Sequence, residues 1–113
     1  MTQLISPTHR IRHVVLFRWK PGFDPTEWLT LMRGLPDRIP QIKNLSVGPD
    51  VLGADRSFDA AIVADFDRIE DVAAYTDHPA HQGLIAISGA GASEIVSVDF
   101  EIPPYPSSAR SAR

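Results

Sequence analysis

Residues 11–19 alternate along the chain, with His13, Val15, Phe17 and Trp19 on one face of a predicted strand and Val14, Leu16 and Arg18 on the other. Both faces are largely apolar, so both need cover. Lys20-Pro21-Gly22 ends the strand, and Asp24 or Thr26 is placed to cap a helix in which Trp28, Leu31, Met32 and Leu35 recur at helical spacing. Pro36 and Pro40 bracket its exit. Residues 42–52 carry Leu45, Val47 and Val51, and Gly48-Pro49 interrupts them as in a bulged or bent edge strand. After the turn-like Gly53-Ala54-Asp55-Arg56-Ser57, residues 58–66 set Phe58, Ala60, Ile62, Ala64 and Phe66 against Asp59, Ala61, Val63 and Asp65. Asp67 is placed to cap a second helix with Ile69, Val72, Ala73 and Tyr75 or Thr76 inward. Pro79 disfavours helical geometry at His78 and stops that helix, with a short restart expected through His81, Leu84, Ile85 and Ile87. Residues 94–102 close the pattern, alternating Val96, Val98, Phe100 and Ile102 with Ser97, Asp99 and Glu101.

The order strand, helix, strand, strand, helix, strand predicts an α+β fold, the ferredoxin-like βαββαβ sandwich: a four-stranded antiparallel sheet with helices on one side. Its other face then carries either His13, Phe17 and Trp19 or Val14 and Leu16. An apolar sheet face of that kind is expected to be covered by a second copy, giving a homodimer whose two sheets close a barrel.

A length of 113 residues allows one core and one domain. Residues 1–10 and 103–113, rich in Pro, Ser, Thr and Arg, read as flexible tails around a domain at 11–102. A net charge of -3 gives no electrostatic reason to expect nucleic acid or an anionic membrane as partner. There is no cysteine, hence no disulfide framework or thiolate zinc site. No apolar run is long enough to span a bilayer, and a cytoplasmic protein is the expectation.

Candidate chemistry gathers at Tyr75-Thr76-Asp77-His78-Pro79-Ala80-His81, where two of the four histidines and a tyrosine stand beside a helix break. Histidine is the side chain suited to moving protons near neutral pH, and a tyrosine hydroxyl is a hydrogen-bond donor. Each also has a structural alternative: His81 as a cap or a partner for a backbone carbonyl, His78 as the residue that holds the bend, Tyr75 as an amphipathic core residue, and His13 as a satisfied interior histidine. A metal set of His78, His81, His13 and Asp77 or Asp99 is disfavoured by the proline that breaks the register between the histidines.

The chain resembles the stress-responsive A/B barrel (Dabb) domain of the dimeric α+β barrel superfamily. The resemblance lies in His13-Val14-Val15-Leu16-Phe17-Arg18-Trp19-Lys20-Pro21-Gly22, in Gly48-Pro49-Asp50, in residues 58–66, in residues 71–81 and in Val98-Asp99-Phe100. The family includes stress-response proteins and a plant polyketide cyclase that closes a linear thioester by aldol condensation without a cofactor. By position, the resemblance implies His81 as base, Tyr75 as the residue orienting the carbonyl and His13 as an assisting group, with His78, Val15, Phe17, Leu84 and Ile85 against a small hydrophobic or polyketide-like ligand. It implies neither cofactor nor metal. Gln82-Gly83-Leu84-Ile85-Ala86-Ile87-Ser88-Gly89-Ala90-Gly91 forms a smaller, more glycine-rich wall than a long alkyl-bearing substrate calls for. A non-catalytic ligand-binding or stress barrel and a cofactor-independent monooxygenase are the competing expectations for this fold.

Overall fold

A computed structural model of the chain describes residues 9–104. Their order is β1 (Arg10–Trp19), α1 (Thr26–Arg33), a 3-10 turn (Leu35–Asp37), β2 (Asn44–Pro49), β3 (Ala60–Phe66), α2 (Ile69–Asp77), α3 (Pro79–Gly91) and β4 (Ala92–Ile102). The strands form one antiparallel sheet in the order β2-β3-β1-β4, with the helices against one face. This is the expected ferredoxin-like sandwich. The rest of the two expected tails lies outside the described residues, and β1 begins at Arg10, inside the stretch expected to be a tail.

The central strand β1 pairs with β3 from Ile11↔Phe66 to Phe17↔Ala60 and with β4 through His13↔Asp99 and Val15↔Ser97. Its register with β3 is pinned by a bidentate pair, Arg12 Nε and Nη2 donating to Asp65 at 2.8 and 2.9 Å. These bonds hold the buried Asp65 carboxyl below its ordinary value. Of the two possible orientations, Ile11, Val15 and Phe17 face the helices, and Val14 and Leu16 face away. The core packs Phe17, Phe66 and Ile62 of the sheet on Trp28, Met32, Leu35, Tyr75 and Leu84.

The helical readings need three corrections. In α1 the inward residues are Trp28, Leu29 and Met32, while Leu31 is 45% exposed. The helix ends at Arg33 ahead of Pro36, and Leu35 reaches the core from the 3-10 turn. Asp24 accepts from the Thr26 backbone N–H and hydroxyl at 3.0 and 2.6 Å, yet the N-cap position is Pro25. In α2 the buried residues are Asp71 and Tyr75, Ile69 and Ala73 are exposed, and the N-cap is Arg68 rather than Asp67. The restart after Pro79 is no short turn: α3 runs 13 residues, because proline at its first position has no N–H to lose and His78 supplies the cap. Its far end fits closely under Phe23, where any Cβ on Gly91 would collide with the ring.

Candidate active site

The bend between α2 and α3 determines how the site is built. Pro79 stops α2 after Asp77 and has no N–H for the Tyr75 carbonyl four residues back, which keeps only a bond from the His78 N–H at 3.2 Å. Two α3 side chains bond to carbonyls of that last turn. His81 Nδ1 donates to the Tyr75 carbonyl at 3.2 Å, and Gln82 Nε2 donates to the Thr76 carbonyl at 2.7 Å. His78 holds the junction from the other side, its Nδ1 accepting from the Ala80 backbone N–H at 3.0 Å.

The bond to Tyr75 swings the His81 ring flat against the Tyr75 ring, with centroids 4.1 Å apart and planes at 24°. It also fixes the tautomer, since a carbonyl accepts only from a protonated Nδ1 and Nε2 is left with its lone pair. Burial pushes His81 below its ordinary value, so the imidazole is neutral near pH 7. Burial pushes the Tyr75 phenol up, so it keeps its proton. A neutral base and a protonated donor thus share one stack.

Strand β1 brings the third group. His13 meets Tyr75 edge-on at 5.9 Å between centroids, and its Nδ1 lies 2.6 Å from an Asp99 carboxylate oxygen on the neighbouring strand. Asp99 therefore orients His13 as a carboxylate orients an imidazole in a catalytic dyad. Phe66 packs beside both rings, at 5.3 Å from Tyr75 and 6.4 Å from His13.

His13, Tyr75 and His81 line one cavity of about 220 Å³ between the sheet and α2–α3. It holds His13, Val15, Phe17, Tyr75, His81 and Ile85 together. It does not hold His78 or Leu84. Along α3 the cavity face is the row His81, Ile85 and Ser88, spaced four and three residues apart, whereas Ala80, Gly83, Leu84 and Ile87 form the adjoining face. His78 is engaged as the α3 cap. The cavity is internal to one protomer, so His13 does not face a hollow between two sheets. The sequence reading missed Trp28, Thr76, Ser88 and Ser97 as cavity walls and Asp99 as the partner of His13. Only the β1–β4 register reveals Asp99. Among the described residues, no group of three or more His, Asp or Glu side chains is placed to hold a metal ion, and no helix is long and apolar enough to cross a membrane.

The model of the stress-responsive A/B barrel domain matches residues 11–102. The chain belongs to the Dabb family. A dimeric ferredoxin-like protein of unknown function from Thermobifida fusca is 35% identical, with a TM-score of 0.76 over 88% of this chain and 97% of that one. A dimeric protein of unknown function from Bacteroides fragilis is 24% identical, with a TM-score of 0.69 over 88% of this Dabb chain and 100% of the other. The hydroxynitrile lyase of Passiflora edulis shares the fold at 19% identity, with a TM-score of 0.73 over 88% and 100% of the two chains. No curated protein matches the chain significantly.

Proposed function

We propose that this Dabb protein is a homodimeric, cofactor-free enzyme that forms or breaks a carbon–carbon bond next to a carbonyl, by aldol-type cyclisation of a short polyketide-like substrate. The observation that carries this reading is the stack of a neutral His81, its Nδ1 tied to the Tyr75 carbonyl, on a protonated Tyr75. His81 Nε2 removes a proton α to a carbonyl, and the Tyr75 hydroxyl donates to the enolate oxygen as its charge develops. The enolate carbon attacks a second carbonyl of the same molecule, forming the new bond. The His81 imidazolium then returns its proton to the resulting alkoxide. His13, whose Nδ1 donates to Asp99, assists through Nε2 as an acceptor that helps hold the substrate in place. At about 220 Å³ the cavity is smaller than the roughly 300–1,000 Å³ of typical ligand pockets, which favours a ring-sized substrate without a long alkyl tail. The hydroxynitrile lyase among the fold neighbours is in keeping with lyase chemistry on this scaffold.

Dimerisation through the open sheet face is part of the same proposal. Val96, Val98 and Phe100 of β4 are 39%, 54% and 44% exposed there, and the Thermobifida and Bacteroides relatives are dimeric.

The test is α-proton exchange of a small β-diketone in D2O, followed by NMR, together with turnover of short β-keto thioesters. The wild type is expected to accelerate exchange, His81→Ala to lose roughly 100-fold or more and Tyr75→Phe roughly tenfold, both still folded. Exchange at the buffer rate in the wild type, or undiminished exchange in His81→Ala, overturns the proposal. A binding barrel would instead show ligand binding without exchange, and a monooxygenase would consume oxygen with a phenolic substrate.

A further inference from the structure

A second cavity is larger than the one with the histidines. A groove of about 420 Å³ runs between α1 and α3, within the roughly 300–1,000 Å³ range of small-molecule sites. Its walls are Leu31, Leu35, Leu84 and Ile87, with no aromatic ring among the lining residues, and small residues, Gly34, Ala80 and Gly83, leave its space open. Leu31 falls on the apolar stripe of α1 yet is 45% exposed, because it lines this groove instead of filling the core. Arg38 is the only charged residue in the lining and takes part in no ion pair among the described residues.

An aliphatic channel with one guanidinium selects a ligand with an aliphatic body and one planar anionic head. Guanidinium matches carboxylate through two parallel N–H donors, and a single cation balances a single negative charge. A more highly charged head would be left uncompensated on a chain whose net charge is already -3. We propose that the groove is a second ligand site, which takes a medium-chain aliphatic carboxylate with its tail between α1 and α3 and its head on Arg38. The site is independent of the His81–Tyr75 chemistry, since α3 turns one face to each cavity.

Gly83 supplies the decisive variant. A Cβ there meets nothing within 4 Å, so Gly83→Phe projects a ring into the groove without clashing at its root. Replacing a helical glycine also favours the helix, so this variant and the control Gly83→Ala are expected to fold. The experiment titrates decanoate into the full-length protein and follows the Gly34 and Gly83 amides and the Leu31 and Ile87 methyls by NMR. Expected are saturable shifts at those four residues, binding weakened about fivefold or more in Arg38→Gln, binding lost in Gly83→Phe, and binding retained in Gly83→Ala and His81→Ala. Decylammonium should not compete. The proposal is overturned if decanoate gives no saturable shift, as when a second copy or the ends of the chain occupy the groove. It is equally overturned if Gly83→Phe binds as well as the wild type, or if Arg38→Gln or decylammonium shows that charge is immaterial.

Discussion

The two faces of the sheet are cut from the same strands and end in opposite states. On the helix side, Ile11, Val15, Phe17, Ile62, Ala64 and Phe66 are all buried. On the other side, Val14, Leu16 and Val63 are half-buried, and Val96, Val98 and Phe100 stand exposed at the β4 edge. Apolar content alone would not separate these sets. What separates them is that α1, α2 and α3 finish one face within the protomer, while the other is left for a surface the protomer does not have. His81 and Tyr75 lie on the finished side, where burial pushes the imidazole down and the phenol up.

The comparison breaks first in stability. Phe66→Ala on the covered face is expected to cost about 3–5 kcal/mol in urea denaturation, since it empties a fully buried site against Tyr75 and His13. A truncation of the same size on the open face, Phe100→Ala, should cost far less in a monomeric background. If the two cost the same, the faces are not distinct.

Association sharpens the contrast from the opposite side. Val98→Asp places a charge in the middle of the proposed dimer surface, twice per dimer. It is expected to weaken association by about 100-fold or more while the protomer stays folded, because an unpaired charge cannot be buried cheaply. Light scattering on a size-exclusion column should show the mass falling to the 12.4 kDa of one chain. An unaltered dimer would place the interface elsewhere.

Much of this was legible in the alternation of β1 and β4, which told which residues share a face. Alternation has no sign, however, and both faces of β1 are apolar, so only the packed helices decide that His13 looks inward and Val14 outward. The helix break at Pro79 was equally plain. That the Tyr75 carbonyl, already accepting from the His78 N–H, also takes the His81 ring is a consequence of three-dimensional closure across six residues, which no periodicity expresses. Leu84, apolar and near His81, falls on the adjoining face of α3, whereas the cavity follows the His81, Ile85, Ser88 row. Asp99 read as one more polar residue on an alternating edge strand until its register set it opposite His13.

Asp99 gives the next smaller effect. Asp99→Asn keeps the shape but replaces an acceptor-only group with one that also donates, so the His13 tautomer is no longer fixed. The expected result is a fall of roughly tenfold in kcat with KM nearly unchanged and with the melting temperature held, as befits a partly exposed carboxylate. A matching loss of stability would make the His13–Asp99 pair a strand clamp rather than part of the site.

The smallest effect is a slope with pH, and it belongs to the covered face alone. Burial holds folded-state His81 below the 6.5 of an unburied imidazole, so as the pH falls the unfolded chain takes up its proton first. The stability that comes from keeping His81 neutral is therefore complete above 6.5 and is lost as the pH drops from there toward the folded-state value. Asp65, also held low in the folded state, acts in the same direction, but its window lies below 3.8 and does not overlap. Urea denaturation between about pH 7.5 and about pH 5 should thus show wild-type stability falling more steeply than that of His81→Gln. The same shift places the acid limb of any His81-dependent activity below 6.5. Val98→Asp, on the open face, should leave the slope untouched when measured on the protomer. If His81→Gln shows the same slope as the wild type, the imidazole is not desolvated, and the enclosed base at the centre of the covered face is lost with it.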